Sequence, residues 1–201
     1  MVLINILISI FGILIFLFIF WKRLKDDYAS EIIFRSAFNI LLSVGVASLL
    51  SFKFFPTWFL WAQFLGCIAG LGISYWQLNI RLYETLEAQT IAFLPWIAFI
   101  FLKDSVAGSN LASFIGFLAI LIVIFIYYYF DSHYKNFTWY KSGKIGFAGL
   151  ATLAFVFVIR SVLALTGISV LSFVGKYEAI VSGVSAFISF LLIYNLSRES
   201  K

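Results

Sequence analysis

Residues 2–20 read VLINILISIFGILIFLFIF, an apolar run that ends against Trp21-Lys22-Arg23-Leu24-Lys25. An α-helix needs about twenty mostly apolar residues to cross the hydrocarbon core of a bilayer, where every backbone N–H and C=O must be paired within the segment. No basic stretch precedes the run and no small-residue cleavage site follows it, so it is expected to be retained as a helix and not removed as a signal peptide. Runs of the same kind recur at about 32–52, 55–76, 86–102, 111–130, 145–166 and 179–196. The sequence therefore predicts an all-α, polytopic integral membrane protein with about seven transmembrane helices, forming a single domain over residues 1–201. Composition agrees: 63% of residues are hydrophobic, 11% are charged and the mean hydropathy is +1.06, far from the balance of a water-soluble domain. The stretch from Gly167 to Glu178 is too short to cross, and is expected to lie at the interface or fold back between helices.

Orientation follows from the basic residues outside the spans. Lys22, Arg23, Lys25, Arg81, Lys135, Lys141, Lys144, Arg198 and Lys201 fall on one side, against Lys53, Lys103 and Lys176 on the other. The positive-inside rule then puts the N-terminus outside and the C-terminus in the cytoplasm. Trp21, Trp76 and Trp139 fall near cytoplasmic helix ends and Trp58 near an outer one, at the level where indole rings suit the headgroup layer. The net charge of +5 is placed at helix ends, where lipid phosphate is the nearer partner, so nucleic acid is not expected. The sequons at Asn136 and Asn195 fall on the cytoplasmic side and read as chance matches. Cys67 is the only cysteine and His133 the only histidine. Neither a disulfide framework nor a transition-metal site is expected; Cys67 reads as a small filler between helices and His133 as a solvated loop residue. A retinal-type photoreceptor is disfavoured because the last span carries no lysine.

Polar residues within the spans are few. Arg35 lies four residues after Glu31, so an i,i+4 pair or snorkelling to phosphate accounts for it, and lipid binding is the functional alternative. Arg160 lies about 22 Å beyond Ile145 along its helix, past the midplane. There a cation either binds a lipid phosphate or a substrate carboxylate, or pairs with an acid such as Glu178. Glu84, Glu87 and Gln89 form a polar cluster at the start of the fourth span. Glu84 and Glu87 share a helical face as an acid/base pair would, but they also suit a helix N-terminus, and that plainer reading is preferred. Gly66 and Gly70 form a GxxxG pattern for close packing, and Gly146, Gly149, Ser182, Gly183, Ala186 and Ser189 read as packing seams. Pro95, inside the fourth span, is expected to kink it. The chain shows no internal three-helix repeat.

The order of features resembles the prolipoprotein diacylglyceryl transferase family over about residues 15 to 165. The carriers are the basic exit Trp21-Lys22-Arg23-Leu24-Lys25, the glycine-rich Phe64-Leu65-Gly66-Cys67-Ile68-Ala69-Gly70, and Leu86-Glu87-Ala88, where the family tends to have Leu-Asp-Ala. The last is Gly143 leading through a helix to Arg160. The resemblance implies seven helices, a bacterial inner membrane, no cofactor, phosphatidylglycerol as lipid in the outer half of the bilayer, a lipobox signal peptide as partner, and Arg160 as the position that maps onto the family's active site. Arg160, Arg35, Gly66 and Gly70 are taken as the candidate lipid-binding residues. The family's His-Gly-Gly and Gly-Arg-Ile-Gly-Asn motifs are absent, and Ser161-Val162-Leu163-Ala164 follows Arg160 where the family has a glutamate and a second arginine. Lipid binding is thus the expected function, with transferase chemistry left open. A small transporter or channel, or a non-catalytic membrane scaffold, is the alternative.

Overall fold

The structure is a computed structural model and describes residues 2–137, 140, 145–166 and 174–198, with the side chains of residues 2–6 and 176 left aside. Expectations for Trp139, Lys141, Gly143, Lys144 and Lys201, for the side chain of Lys176 and for residues 167–173 lie outside these. The described residues form seven long helices: α1 Val2–Leu24, α2 Ser30–Phe54, α3 Phe59–Leu78, α4 Leu82–Gly108, α5 Leu111–His133, α6 Phe147–Leu165 and α7 Glu178–Arg198. Each is long and apolar enough to cross a membrane. Many large apolar side chains, Leu49, Phe52, Phe125 and Leu165 among them, face away from the bundle. In water such a surface would drive aggregation, whereas in a bilayer it meets acyl chains.

Helices α1, α2, α4, α5 and α7 outrun the apolar windows that identify them, whereas α6 falls short of its window at both ends. The fourth begins at Leu82 and not at 86, because Arg81, in extended backbone, caps it and Glu84 stands in its first turn. It runs on past Lys103 to Gly108, where Ser109 adopts a left-handed conformation with φ +48° and stops it. It continues as one helix through Pro95. The third span begins with a 3-10 turn, Pro56–Trp58, before α3 proper, because proline fixes the entry. Asn110 caps α5 by accepting from the Ala112 N–H at 3.0 Å.

Helix α4 is central and touches α1, α3, α5 and α6, while α2 pairs with α3 and α6 with α7. Phe16, Phe20 and Leu24 of α1 meet Ile33, Ala37, Ile40 and Val44 of α2 and Ala88 and Ala92 of α4 in one core; Ile91, Leu94, Ala98 and Phe101 of α4 meet Val123 and Tyr127 of α5 in another. Gly66 and Gly70 are buried against α2. A Cβ at Gly66 would stand 2.9 Å from Ser43 O, and one at Gly70 would stand 2.6 Å from Ile40 Cα. Their lack of side chains is what lets the two backbones touch. The expected lipid contact at Gly66 and Gly70 is therefore corrected: α2 occupies the space a lipid would need.

Candidate functional site

The ends of α1, α3, α5 and α7 and the starts of α2, α4 and α6 gather at one end of the bundle, here called the basic end, with Lys22, Arg23 and Arg81. Here the expected polar cluster separates into three unconnected sites. Glu84 accepts from the Tyr28 hydroxyl at 2.8 Å and from Arg81 Nη1 at 2.8 Å, and the same hydroxyl accepts from the Arg81 N–H at 3.0 Å. Burial is the main cause holding the Tyr28 phenol above its ordinary value near 10, and the hydrogen bond to the Glu84 carboxylate adds to it. Gln89 is buried further along α4, and Cys67 packs against the core that α1, α2 and α4 share, as the filler expected.

Glu87 is 2% exposed and joins four helices. Its Oε1 accepts from Arg23 Nη2, which also donates to Asp131 Oδ1 of α5 at 2.7 Å. Its Oε2 accepts from the backbone N–H of Gly146 at 3.0 Å and of Gly149 at 3.2 Å, at the start of α6. The carboxylate therefore caps α6, supplying the acceptor its first N–H groups lack inside the helix and the negative charge its dipole favours. Gly146 and Gly149 are glycines for this reason: a Cβ at Gly149 would stand 2.6 Å from Glu87 Cα, and Gly146 has φ +117°. The expectation that Glu87 serves the N-terminus of its own helix is corrected to service of a neighbouring one. Glu84 and Glu87 do not converge on a common point as an acid/base pair would.

At the opposite end Arg160 is 7% and Glu178 0% exposed. Arg160 Nε and Nη2 both meet Glu178 Oε1, at 2.9 and 2.7 Å. That oxygen also accepts from Ser182 at 2.7 Å, while Oε2 accepts from Trp61 Nε1 at 3.1 Å and the Val174 N–H at 3.2 Å. Trp61 in turn stacks on Phe157 with ring centres 5.5 Å apart. Of the two readings of Arg160, the pair with Glu178 is the one the geometry has. Its guanidinium is turned into the bundle to join α6 to α7.

Arg35 is also paired with a glutamate but differs in its exposure. Its side chain is 66% exposed and Glu31's is 73% exposed, with Nη2 and Oε1 2.7 Å apart in the i,i+4 arrangement. Both line a groove of about 480 Å³ on the outer face of the α2–α3 pair, together with Phe34, Phe38, Asn39 and Gln77. Asn39 Nδ2 donates to Gln77 Oε1 at 3.2 Å across the groove. No sequence signal singles out Gln77, because its partner lies 38 residues away on another helix.

Among the described residues no group of three or more His, Cys, Asp or Glu side chains is placed to hold a metal ion. Comparison of the chain with models of protein families, with curated proteins and with solved structures finds no match. The likeness to diacylglyceryl transferases thus stands on the quoted residues alone.

Proposed function

We propose that this chain is a phospholipid-binding protein of the bacterial cytoplasmic membrane, related to the diacylglyceryl transferases, that holds its lipid phosphate at Arg35. The observation that carries this reading is the groove beside Arg35: an exposed guanidinium near a helix end, flanked by the aromatic side chains of Phe34 and Phe38. With the N-terminus outside and the C-terminus inside, the groove belongs to the cytoplasmic leaflet. The outer-leaflet site inferred from Arg160 loses its support, because that guanidinium is engaged by Glu178. Holding a lipid is accordingly favoured over transferring its glyceryl group to a lipobox peptide.

The test is phospholipid retention by the purified protein after mild detergent extraction, counted by native mass spectrometry. Arg35→Gln should remove a bound lipid that Arg160→Met retains if it folds. Retention unchanged by Arg35→Gln would refute the site. In parallel, transfer of labelled diacylglycerol from phosphatidylglycerol to a lipobox peptide should not exceed the protein-free rate, and turnover would restore the enzyme reading.

A further inference from the structure

We infer that the groove beside Arg35 selects a zwitterionic phospholipid with a free ammonium, of the phosphatidylethanolamine type, over an anionic one. This rests on the lipid-binding reading above and deepens it. Glu31, Arg35 and Asn39 follow one another at four-residue intervals on α2, so they form a ladder on one face with rungs about 6 Å apart.

Helix α3 ends at Leu78, and its last turn reaches Asn39 through Gln77. The amide pair therefore marks the end of α3, and α2 continues outward past it for two more turns that carry Arg35 and then Glu31. Side chains on a helix lean towards its N-terminus, which here is the outward direction. From the amide pair outward the groove offers Phe38, the Arg35 cation, Phe34 and then the Glu31 anion. A phosphatidylethanolamine likewise presents its phosphate deeper than its ammonium, so the phosphate meets the cation and the ammonium the anion.

The charges decide between headgroups. Arg35 and Glu31 sum to zero and neutralise each other at 2.7 Å. A zwitterion can exchange that pair for two, with its phosphate on the guanidinium and its ammonium on the carboxylate. An anionic lipid satisfies Arg35 alone, leaves Glu31 without its partner and sets a second negative charge beside it. The clustered Lys22, Lys25 and Arg81 attract anionic lipid to this end of the bundle without ordering it. The ladder is therefore what distinguishes a bound lipid from an annular one.

The experiment is retention from nanodiscs of equal phosphatidylethanolamine and phosphatidylglycerol, read by native mass spectrometry on the full chain. Wild type should retain the ethanolamine lipid at least about threefold over the glycerol lipid, the scale of one exposed charge pair. Glu31→Gln should abolish the preference and Glu31→Lys should reverse it. Both positions are exposed, and unchanged thermal unfolding will show that the fold is kept. Equal or greater retention of phosphatidylglycerol by wild type, still lost in Arg35→Gln, would overturn the headgroup inference while leaving lipid binding intact. Retention indifferent to Arg35→Gln would overturn both.

Discussion

Replacing Glu178 by Met should destabilise the protein more than replacing Arg160 by Met, and replacing both should cost less than the first alone. The asymmetry follows from the partners. Without Arg160 the Glu178 carboxylate keeps three donors, Ser182, Trp61 Nε1 and the Val174 N–H, so a loss of about 2 kcal/mol is expected, near the lower end for hydrogen bonds to charged groups. Without Glu178 a buried guanidinium loses its carboxylate, and the Trp61 and Val174 N–H groups lose their acceptor as well. Breaking a buried pair in this way costs about 3–5 kcal/mol. The double change removes both charges and leaves only the orphaned N–H groups, at about 1 kcal/mol each or less in a membrane interior. At roughly 2–4 °C per kcal/mol for a chain of this size, Glu178→Met should lower Tm by on the order of 10 °C, and adding Arg160→Met should recover part of that loss. The assay is thermal unfolding of the detergent-solubilised protein through a complete double-mutant cycle. Additive losses would refute the pair. An Arg160→Met protein with unchanged Tm but without its bound phospholipid would show instead that Arg160 holds lipid.

Three further outcomes follow from the same geometry. Gly149→Ala pushes a methyl against the Glu87 backbone, so it should cost about 1–3 kcal/mol in thermal unfolding, and a wild-type Tm would contradict the close approach of α4 and α6. Gly70→Ala should destabilise the α2–α3 pair, whereas Gly72→Ala, with nothing within 4 Å of its added Cβ, should be neutral or gain up to about 1 kcal/mol from helix propensity; similar behaviour at the two positions would refute the packing. The raised phenol of Tyr28 contributes stability that is complete below its unfolded value near 10 and is lost as pH climbs through the higher folded value. Absorbance titration at 295 nm should accordingly lose one tyrosine's share of its late part in Tyr28→Phe, and a late part unchanged by the substitution would refute the shift.

Hydropathy made the seven helices legible because burial in lipid is written locally, residue after residue. The apolar window began four residues late at α4 because the first turn carries Glu84, whose partners Arg81 and Tyr28 lie outside the helix, although the polar turn itself did mark a helix N-terminus. The pair Arg35–Glu31 could be read because both residues share one helix. Arg160 could be given a partner because Glu178 was the nearest acid beyond its span. The role of Glu87 could not be read: its donors Arg23, Gly146 and Gly149 lie 64, 59 and 62 residues away, and no periodicity links them. The small residues at 146 and 149 announced a close approach without saying what approached.

Those separations also set a timetable. The chain emerges N-terminus first, and the Arg23 guanidinium waits for the whole of α2, α3 and the start of α4 before Glu87 reaches it. Glu87 in turn waits about sixty residues more for the amides of Gly146 and Gly149, several seconds at about 5–20 residues per second. Until α6 arrives, one oxygen of this carboxylate is served by water at the end of the bundle. Closure of that contact marks the moment at which the first five helices stop being a provisional assembly.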